Sequence, residues 1–290
     1  MIAFRHILFP VDFSARSAAA ASAAKAMAKR FGAELTVLHV VDLPAAGIAP
    51  PEAAAWATLV GAERLREQGG IALRSFVSRE FQGHEFQDLK EVSAEGDPAT
   101  VIVDYARENG ADLIMLPTSG LGPFRRLLLG SVTAKVLHDT TVPVWTGVHA
   151  AEIAAHPAGE WKRALCAVED HSRDLPVLRW AAELASEQKL ELRLVHAVRG
   201  PEDCEDNPNF RAFLFDTARE RIEKLQTEAG TKFDVCFQLG DPGSVVHRAA
   251  YGYSADIVII GRGVLQKAFG RLRSGAYQII REAPCPVISV

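Results

Sequence analysis

The stretch Leu113-Ile-Met-Leu-Pro117-Thr-Ser-Gly120 continues through Leu-Gly-Pro-Phe-Arg-Arg-Leu-Leu-Leu to Gly130-Ser131-Val132-Thr133. An apolar run of strand type ends at Pro117, and a short glycine turn follows. After nine further residues (121–129) comes a second glycine with a hydroxyl beside it, opening the helical pattern Val132 to His138. Glycine lets the backbone approach a phosphate closely. A helix start offers unpaired N–H groups and the positive end of the helix dipole. Strand, glycine turn and Gly-Ser at a helix start together describe an anion cradle at the carboxyl edge of a parallel sheet.

Three familiar phosphate motifs do not fit. A P-loop needs Gly-Lys-Ser or Gly-Lys-Thr, and no lysine follows Gly120 or Gly130. A dinucleotide fingerprint needs a third glycine where Arg125 stands. A protein kinase would carry His-Arg-Asp, which is absent from the chain. The stretch does resemble the nucleotide loop of the universal stress protein family, Gly-x-x-Gly-x9-Gly-Ser/Thr. Gly120, the spacer, Gly130 and Ser131 match it, and Pro117 takes the place of the first glycine.

The chain has 290 residues, nearly half of them apolar. At roughly 150 residues per domain this suggests two domains, each with its own core. A net charge of −4 argues against a general nucleic-acid binder. The N-terminal apolar run is too short for a signal peptide, with Pro10 and Asp12 close behind. No apolar stretch approaches the ~20 residues of a membrane span. Cys166, Cys204, Cys236 and Cys285 lie far apart and form no Cys-x-x-Cys pair, so a reduced, cytoplasmic protein is expected.

The sequence repeats itself. Arg5-His-Ile-Leu-Phe-Pro-Val-Asp12 parallels Arg163-Ala-Leu-Cys-Ala-Val-Glu169, and Glu34 to Val41 parallels Glu191 to Val198. Gly96-Asp-Pro98 leads to Asp112-Leu-Ile-Met-Leu at the same interval as Gly240-Asp-Pro242 leads to Asp256-Ile-Val-Ile-Ile. Val142-Pro-Val-Trp-Thr parallels Cys285-Pro-Val-Ile-Ser. The expected layout is one domain over 1–148, a linker rich in Ala and His over 149–160, and a second domain over 161–290.

In the first copy, strands are expected at Ile7 to Val11, Glu34 to Val41, Phe86 to Val92, Asp112 to Pro117 and Val142 to Thr146. An Ala-rich helix starts at the Ser14 cap and ends near Phe31-Gly32. A second helix lies between Pro51 and Phe81, with a break at Gly69-Gly70 left open. Asp97-Pro98 starts a third, and the fourth leaves Ser131. Such alternation with near-continuous apolar strands means an α/β fold, a doubly wound parallel sheet in each copy. The terminal strands, Val142 to Thr146 and Val287 to Val290, would otherwise be open edges and are expected to pair within the chain.

The resemblance to tandem universal stress proteins thus covers nearly the whole chain. It implies two Rossmann-like domains, of the adenine nucleotide alpha hydrolase type, that pair through their last strands. It implies binding of ATP or another adenine nucleotide, with magnesium left open, although some members of the family bind none. By that resemblance Pro10, Val11 and Asp12 meet the adenine and ribose end, and Val40 meets the adenine with its backbone. Pro117, Gly120, Gly130, Ser131, Val132 and Thr133 then surround ribose and phosphates.

Plainer readings stand beside these. Asp12 can simply cap the following helix. Gly130-Ser131 can be an ordinary helix start, and Arg125 and Arg126 plain surface. His39 and His196, inside strands, are read as packed and hydrogen-bonded, and no metal-ligand spacing stands out. In the second copy Glu169 replaces the aspartate, Ala197 replaces Val40, and Gly261-Arg262-Gly263 is a residue shorter between its glycines. Arg273 then precedes Ser274 where glycine belongs, so this site is expected to be degraded or absent. Two functions remain: a nucleotide-binding stress or regulatory module acting mainly through the first copy, or an interaction scaffold without a ligand. Slow ATP hydrolysis is the weaker third, because no base can be named. A further pairing of two chains is left open.

Overall fold

The computed structural model describes residues 4–42, 51–81, 88–117, 129–147, 161–169, 174–200, 207–262 and 274–290, with 51–60 and 274 as backbone only. Gly120, Arg125, Arg126, Gly263, Arg273, Cys204 and the expected linker lie outside the described residues.

The first copy runs β1 (His6–Val11), α1 (Ala15–Phe31), β2 (Glu34–Val41), α2 (Pro51–Glu80), β3 (Leu89–Glu95), α3 (Pro98–Glu108), β4 (Leu113–Pro117), α4 (Ser131–Asp139) and β5 (Val144–Gly147). The second repeats it as β6 (Arg163–Ala167), α5 (Leu175–Gln188), β7 (Glu191–Val198), α6 (Pro208–Ala229), β8 (Val235–Leu239), α7 (Pro242–Tyr253), β9 (Ile257–Ile260), α8 (Ser274–Glu282) and β10 (Val287–Ser289). These strands form one sheet in the order β3-β2-β1-β4-β5-β10-β9-β6-β7-β8. The order in each half reverses between the first and fourth strands of the copy, which opens a crevice at their carboxyl ends.

Alternating strand residues feed two cores. Ile7, Phe9, Leu113 and Met115 pack on one face with Met27 of α1 and Phe76 of α2. Leu8, Ile114 and Leu116 pack on the other with Ile102 of α3 and Val136 of α4. Helices therefore cover both faces, and the strands between them read as continuous apolar runs. Helix ends carry their expected signals. Asp97 and Asp241 cap α3 and α7 by accepting from Thr100 N and Ser244 N, each with proline in the first turn.

The two halves join by antiparallel pairing of β5 with β10: Val144 faces Ser289, Trp145 faces Ile288 and Thr146 faces Val287. Thr146 Oγ1 donates to Val287 O at 3.2 Å and Ser289 Oγ to Val144 O at 3.3 Å. Arg30 lies over the Trp161 ring at 5.2 Å and donates from Nε to Gln188 Oε1. The expected pairing of terminal strands is thus present, and it removes two open edges.

Some expectations need correcting. β3 runs Leu89–Glu95 and so continues past Val92, because pairing with β2 from Leu35↔Leu89 to Val41↔Glu95 sets this half-exposed edge strand; Phe86 and Gln87 of the expected strand lie outside the described residues. β5 starts at Val144 rather than Val142. α2 does not break at Gly69-Gly70. A Cβ on Gly69 would lie 2.9 Å from Val41 Cγ2 and 3.3 Å from the His39 ring, so this glycine lets the helix press onto β2. Arg163 corresponds to His6, not Arg5. The Asp112 carboxylate accepts from the backbone of Arg5 and His6, and the Asp256 carboxylate from Lys162 and Arg163.

Candidate functional site

β1, β2 and β4 end together at a cleft of ≈ 370 Å³ that α4 closes from one side. Its walls include Pro10, Val11 and Asp12 from β1 and the turn after it, Val40 from β2, Pro117 from β4, and Gly130, Ser131, Val132 and Thr133 at the start of α4. Nine of the ten residues singled out from the sequence are brought together here; Gly120 is outside the described residues.

Asp12 sits in a short turn built around it. Its Oδ1 accepts from Ser17 Oγ at 2.6 Å and from Ser14 N at 3.0 Å, while its own N–H donates to Ser17 Oγ. Ser14 is the cap of α1, accepting from Ser17 N. Asp12 therefore supports the helix start without being its cap. Burial works against its charge, but the bonds from Ser14 and Ser17 outweigh that and hold its pKa below the usual carboxylate range. Both bonds end on one oxygen, Oδ1. Phe13 takes a left-handed φ of 59° and lays its ring on His39 at 4.2 Å, a costly conformation for a bulky residue. His39 Nδ1–H donates to Val11 O, and His196 Nδ1–H to Val168 O, so both strand histidines fix the turn after the first strand of their copy.

The start of α4 differs from those of α1 and α3. Its cap is Gly130, with φ −59° and no side-chain hydrogen bond, so the first N–H groups receive no carboxylate or hydroxyl from the cap. Orphan donors at a helix start attract anions. Lys135 on the same helix donates to Asp97 at 2.7 Å and holds that carboxyl well below its ordinary value, tying α4 to the cap of α3.

Arg16 also lines the cleft and was not singled out from the sequence. Its Nε is buried and has no hydrogen-bond partner. An arginine in the second position of an Ala-rich helix carries no local signal of this. Its place at the cleft emerges only when β1, β4 and α4 are assembled around it.

The second copy has a comparable cleft of ≈ 450 Å³ with different chemistry. Asp174 stands where the first copy has Ser17, and its Oδ2 accepts from Glu169 N at 2.6 Å. Gly261, at the place of Pro117, is needed for packing: a Cβ there would lie 2.8 Å from Val177 Cγ2. The first copy has the smaller Ala20 in the position of Val177 and carries proline in the strand.

This pattern, present twice, can be set against known proteins. The sequence model of the universal stress protein family matches residues 3–146 and again 160–290. The chain belongs to the universal stress protein family. A universal stress protein of Methanocaldococcus jannaschii, MJ0531, is 34% identical over 142 residues, covering 49% of this chain and 80% of its own. The Bacillus subtilis universal stress protein YxiE is 31% identical over 153 residues, covering 49% of this chain and 97% of its own. Each relative thus matches about half of this chain. The crystal structure of a universal stress protein from Archaeoglobus fulgidus superposes with a TM-score of 0.61 at 22% identity, covering 99% of this chain and 96% of that one. Its fold therefore matches that of this tandem universal stress protein throughout. Among the described residues, no helix of this universal stress protein is long and apolar enough to cross a membrane.

Proposed function

We propose that the first copy binds ATP or a related adenine nucleotide, and that the chain works as a nucleotide-responsive stress or regulatory module. The units would be 1–148 and 161–290, joined by 149–160. The observation that carries this reading is the start of α4. It is uncapped, and the cleft it borders also receives Asp12 and the unpartnered Nε of Arg16. A ligand with an anionic end and a hydroxylated sugar complements those groups. The anion meets helix N–H groups and a guanidinium, and the sugar meets the carboxylate oxygen left over by Ser14 and Ser17. Val40 and Pro10 offer backbone and apolar surface to a base. The free, buried thiols of Cys166 and Cys285 fit a reducing compartment, in keeping with a cytoplasmic protein.

The test is titration calorimetry of the full chain with ATP, together with mass spectrometry of small molecules released on denaturation. A stoichiometry near one, lost in Gly130→Arg, is expected. No heat and no released nucleotide would instead support the scaffold reading, to which Pro117, unable to donate an N–H, already lends some weight.

A further inference from the structure

We propose that the cleft of the second copy is a separate binding site for a phosphate-free small molecule, neutral or cationic and planar in part, rather than a second phosphate cradle. The argument begins with the exchange of Ser17 for Asp174. In the first copy a hydroxyl donates to the carboxylate of Asp12 and holds it at the start of α1. In the second copy the same place holds a carboxylate, Asp174, only 9% exposed and already accepting from Glu169 N. An acceptor cannot hold the Glu169 carboxylate there, and like charges repel. Glu169, one methylene longer than aspartate, extends the other way. Its Oε1 lies 3.4 Å from the position a Cβ would take on Gly275, in the first turn of α8. Gly275 has no side chain to obstruct it.

A carboxylate at a helix start occupies the position an anionic ligand would take and neutralises the field that would attract one. The second copy has thus supplied its own anion, whereas the cap residue of α4 in the first copy supplies none. A phosphate brought to α8 would meet the Glu169 carboxylate, with Asp174 also lining the cleft. The cleft nevertheless remains roomy, at ≈ 450 Å³, a volume typical of small-molecule sites. Its walls include the apolar side chains of Val195, Val246 and Ile260. Phe213, which also lines it, is 63% exposed and stacks with Phe210 at 6.5 Å, an open aromatic face suited to a planar ring. Hydroxyl or amino groups on the ligand would be favoured by the negative floor. Arg199 and Arg221 line the cleft as well, and they are the only route by which a phosphate could still be welcomed among the described residues.

The test uses the full chain carrying Gly130→Arg, so that the first cleft contributes nothing. Adenosine and ATP share base and sugar and differ only in phosphates, and both are titrated by calorimetry. Adenosine is expected to bind with a stoichiometry near one and ATP about tenfold more weakly or worse. Adding Glu169→Ala should raise ATP affinity by about tenfold while adenosine changes by less than about threefold. ATP binding as tightly as adenosine, or an unchanged ATP affinity in Glu169→Ala, would overturn the exclusion argument. No adenosine binding would overturn the ligand class. Far-ultraviolet circular dichroism and an unchanged denaturation midpoint establish that each variant is folded. Because the first cleft is silenced, none of these outcomes depends on whether it binds nucleotide.

Discussion

The backbone N–H of Leu129 donates to the hydroxyl of Tyr277 at 3.2 Å, across the two copies. Leu129 immediately precedes the Gly130-Ser131 helix start, and Tyr277 lies in the first turns of α8. The approach to the first copy's cradle is therefore held by a residue of the second. Tyr277→Phe keeps the ring and removes the acceptor. One such bond contributes about 1 kcal/mol, so ATP affinity should fall about fivefold with little loss of fold stability. Calorimetry reads the first and chemical denaturation the second. An unchanged affinity would mean that the helix start is set without help from the second copy.

The other end of α4 is held from the second copy too. Arg262 is buried, and its Nη1 and Nη2 donate to Thr140 O and Val142 O at 2.7 and 3.0 Å. Burial lowers its pKa to about 10, which still leaves it charged at neutral pH. Arg262→Ala leaves two carbonyl oxygens short of donors in a buried seam and should cost about 2–3 kcal/mol in urea denaturation. Arg262→Lys should recover only part of this, since an ammonium lacks the planar fork. Full recovery by lysine would mean that charge, not bidentate geometry, holds the seam.

These two residues show where the sequence is informative and where it is not. The fold was legible because the repeated strand runs are apolar on both faces and Asp97-Pro98 and Asp241-Pro242 are local helix signals. The place of the cleft was legible because Pro10 to Asp12, Val40 and Gly130 to Thr133 end or begin those elements. Whether α2 breaks at Gly69 could not be read from the sequence because the cause of this glycine, the approach of α2 to Val41 and His39, is tertiary. Tyr277, Arg262 and Arg16 act over more than a hundred residues or through an assembled cleft, and no periodicity or spacing encodes such contacts.

The Asp12 turn should be visible in acid. Its folded pKa is lowered, so it contributes stability above its unfolded value, near 3.9, and that contribution disappears as pH falls through the folded value. Ser17→Ala removes the shorter of its two bonds and should raise the Asp12 pKa, narrowing the window in which the turn contributes. Carbon-detected NMR titration of the carboxylate measures this directly. A lower pKa in Ser17→Ala would show that the hydroxyl is not what stabilises the charge.

Arg16 is the next test of the first cleft. A guanidinium that meets phosphates should make binding salt-dependent, and its removal should weaken ATP about tenfold while flattening that dependence. The Nε of Arg16 is buried without a hydrogen-bond partner, so its removal breaks no bond there. The fold should therefore tolerate Arg16→Ala with a change below about 1 kcal/mol. An equal salt slope in wild type and variant would place Arg16 away from the phosphates.

Pro117 decides how far the departure from the family's loop matters. It ends β4, in register with Gly147, and lines the cleft, but it has no N–H to offer and its φ is fixed. Pro117→Gly restores a donor and the freedom to turn closely around a ligand. It also gives the unfolded chain more conformational freedom to lose on folding, which should cost about 0.5–1 kcal/mol of stability. The two effects run in opposite directions, which makes the variant informative. Weaker folding together with tighter ATP binding, by about threefold to tenfold for one added hydrogen bond, is the expected result. If affinity falls along with stability, proline is serving the site by rigidity, and the ligand's anion must be met elsewhere, at the α4 start and Arg16. If wild type shows no binding and Pro117→Gly gains it, the cleft is competent and proline alone keeps it closed.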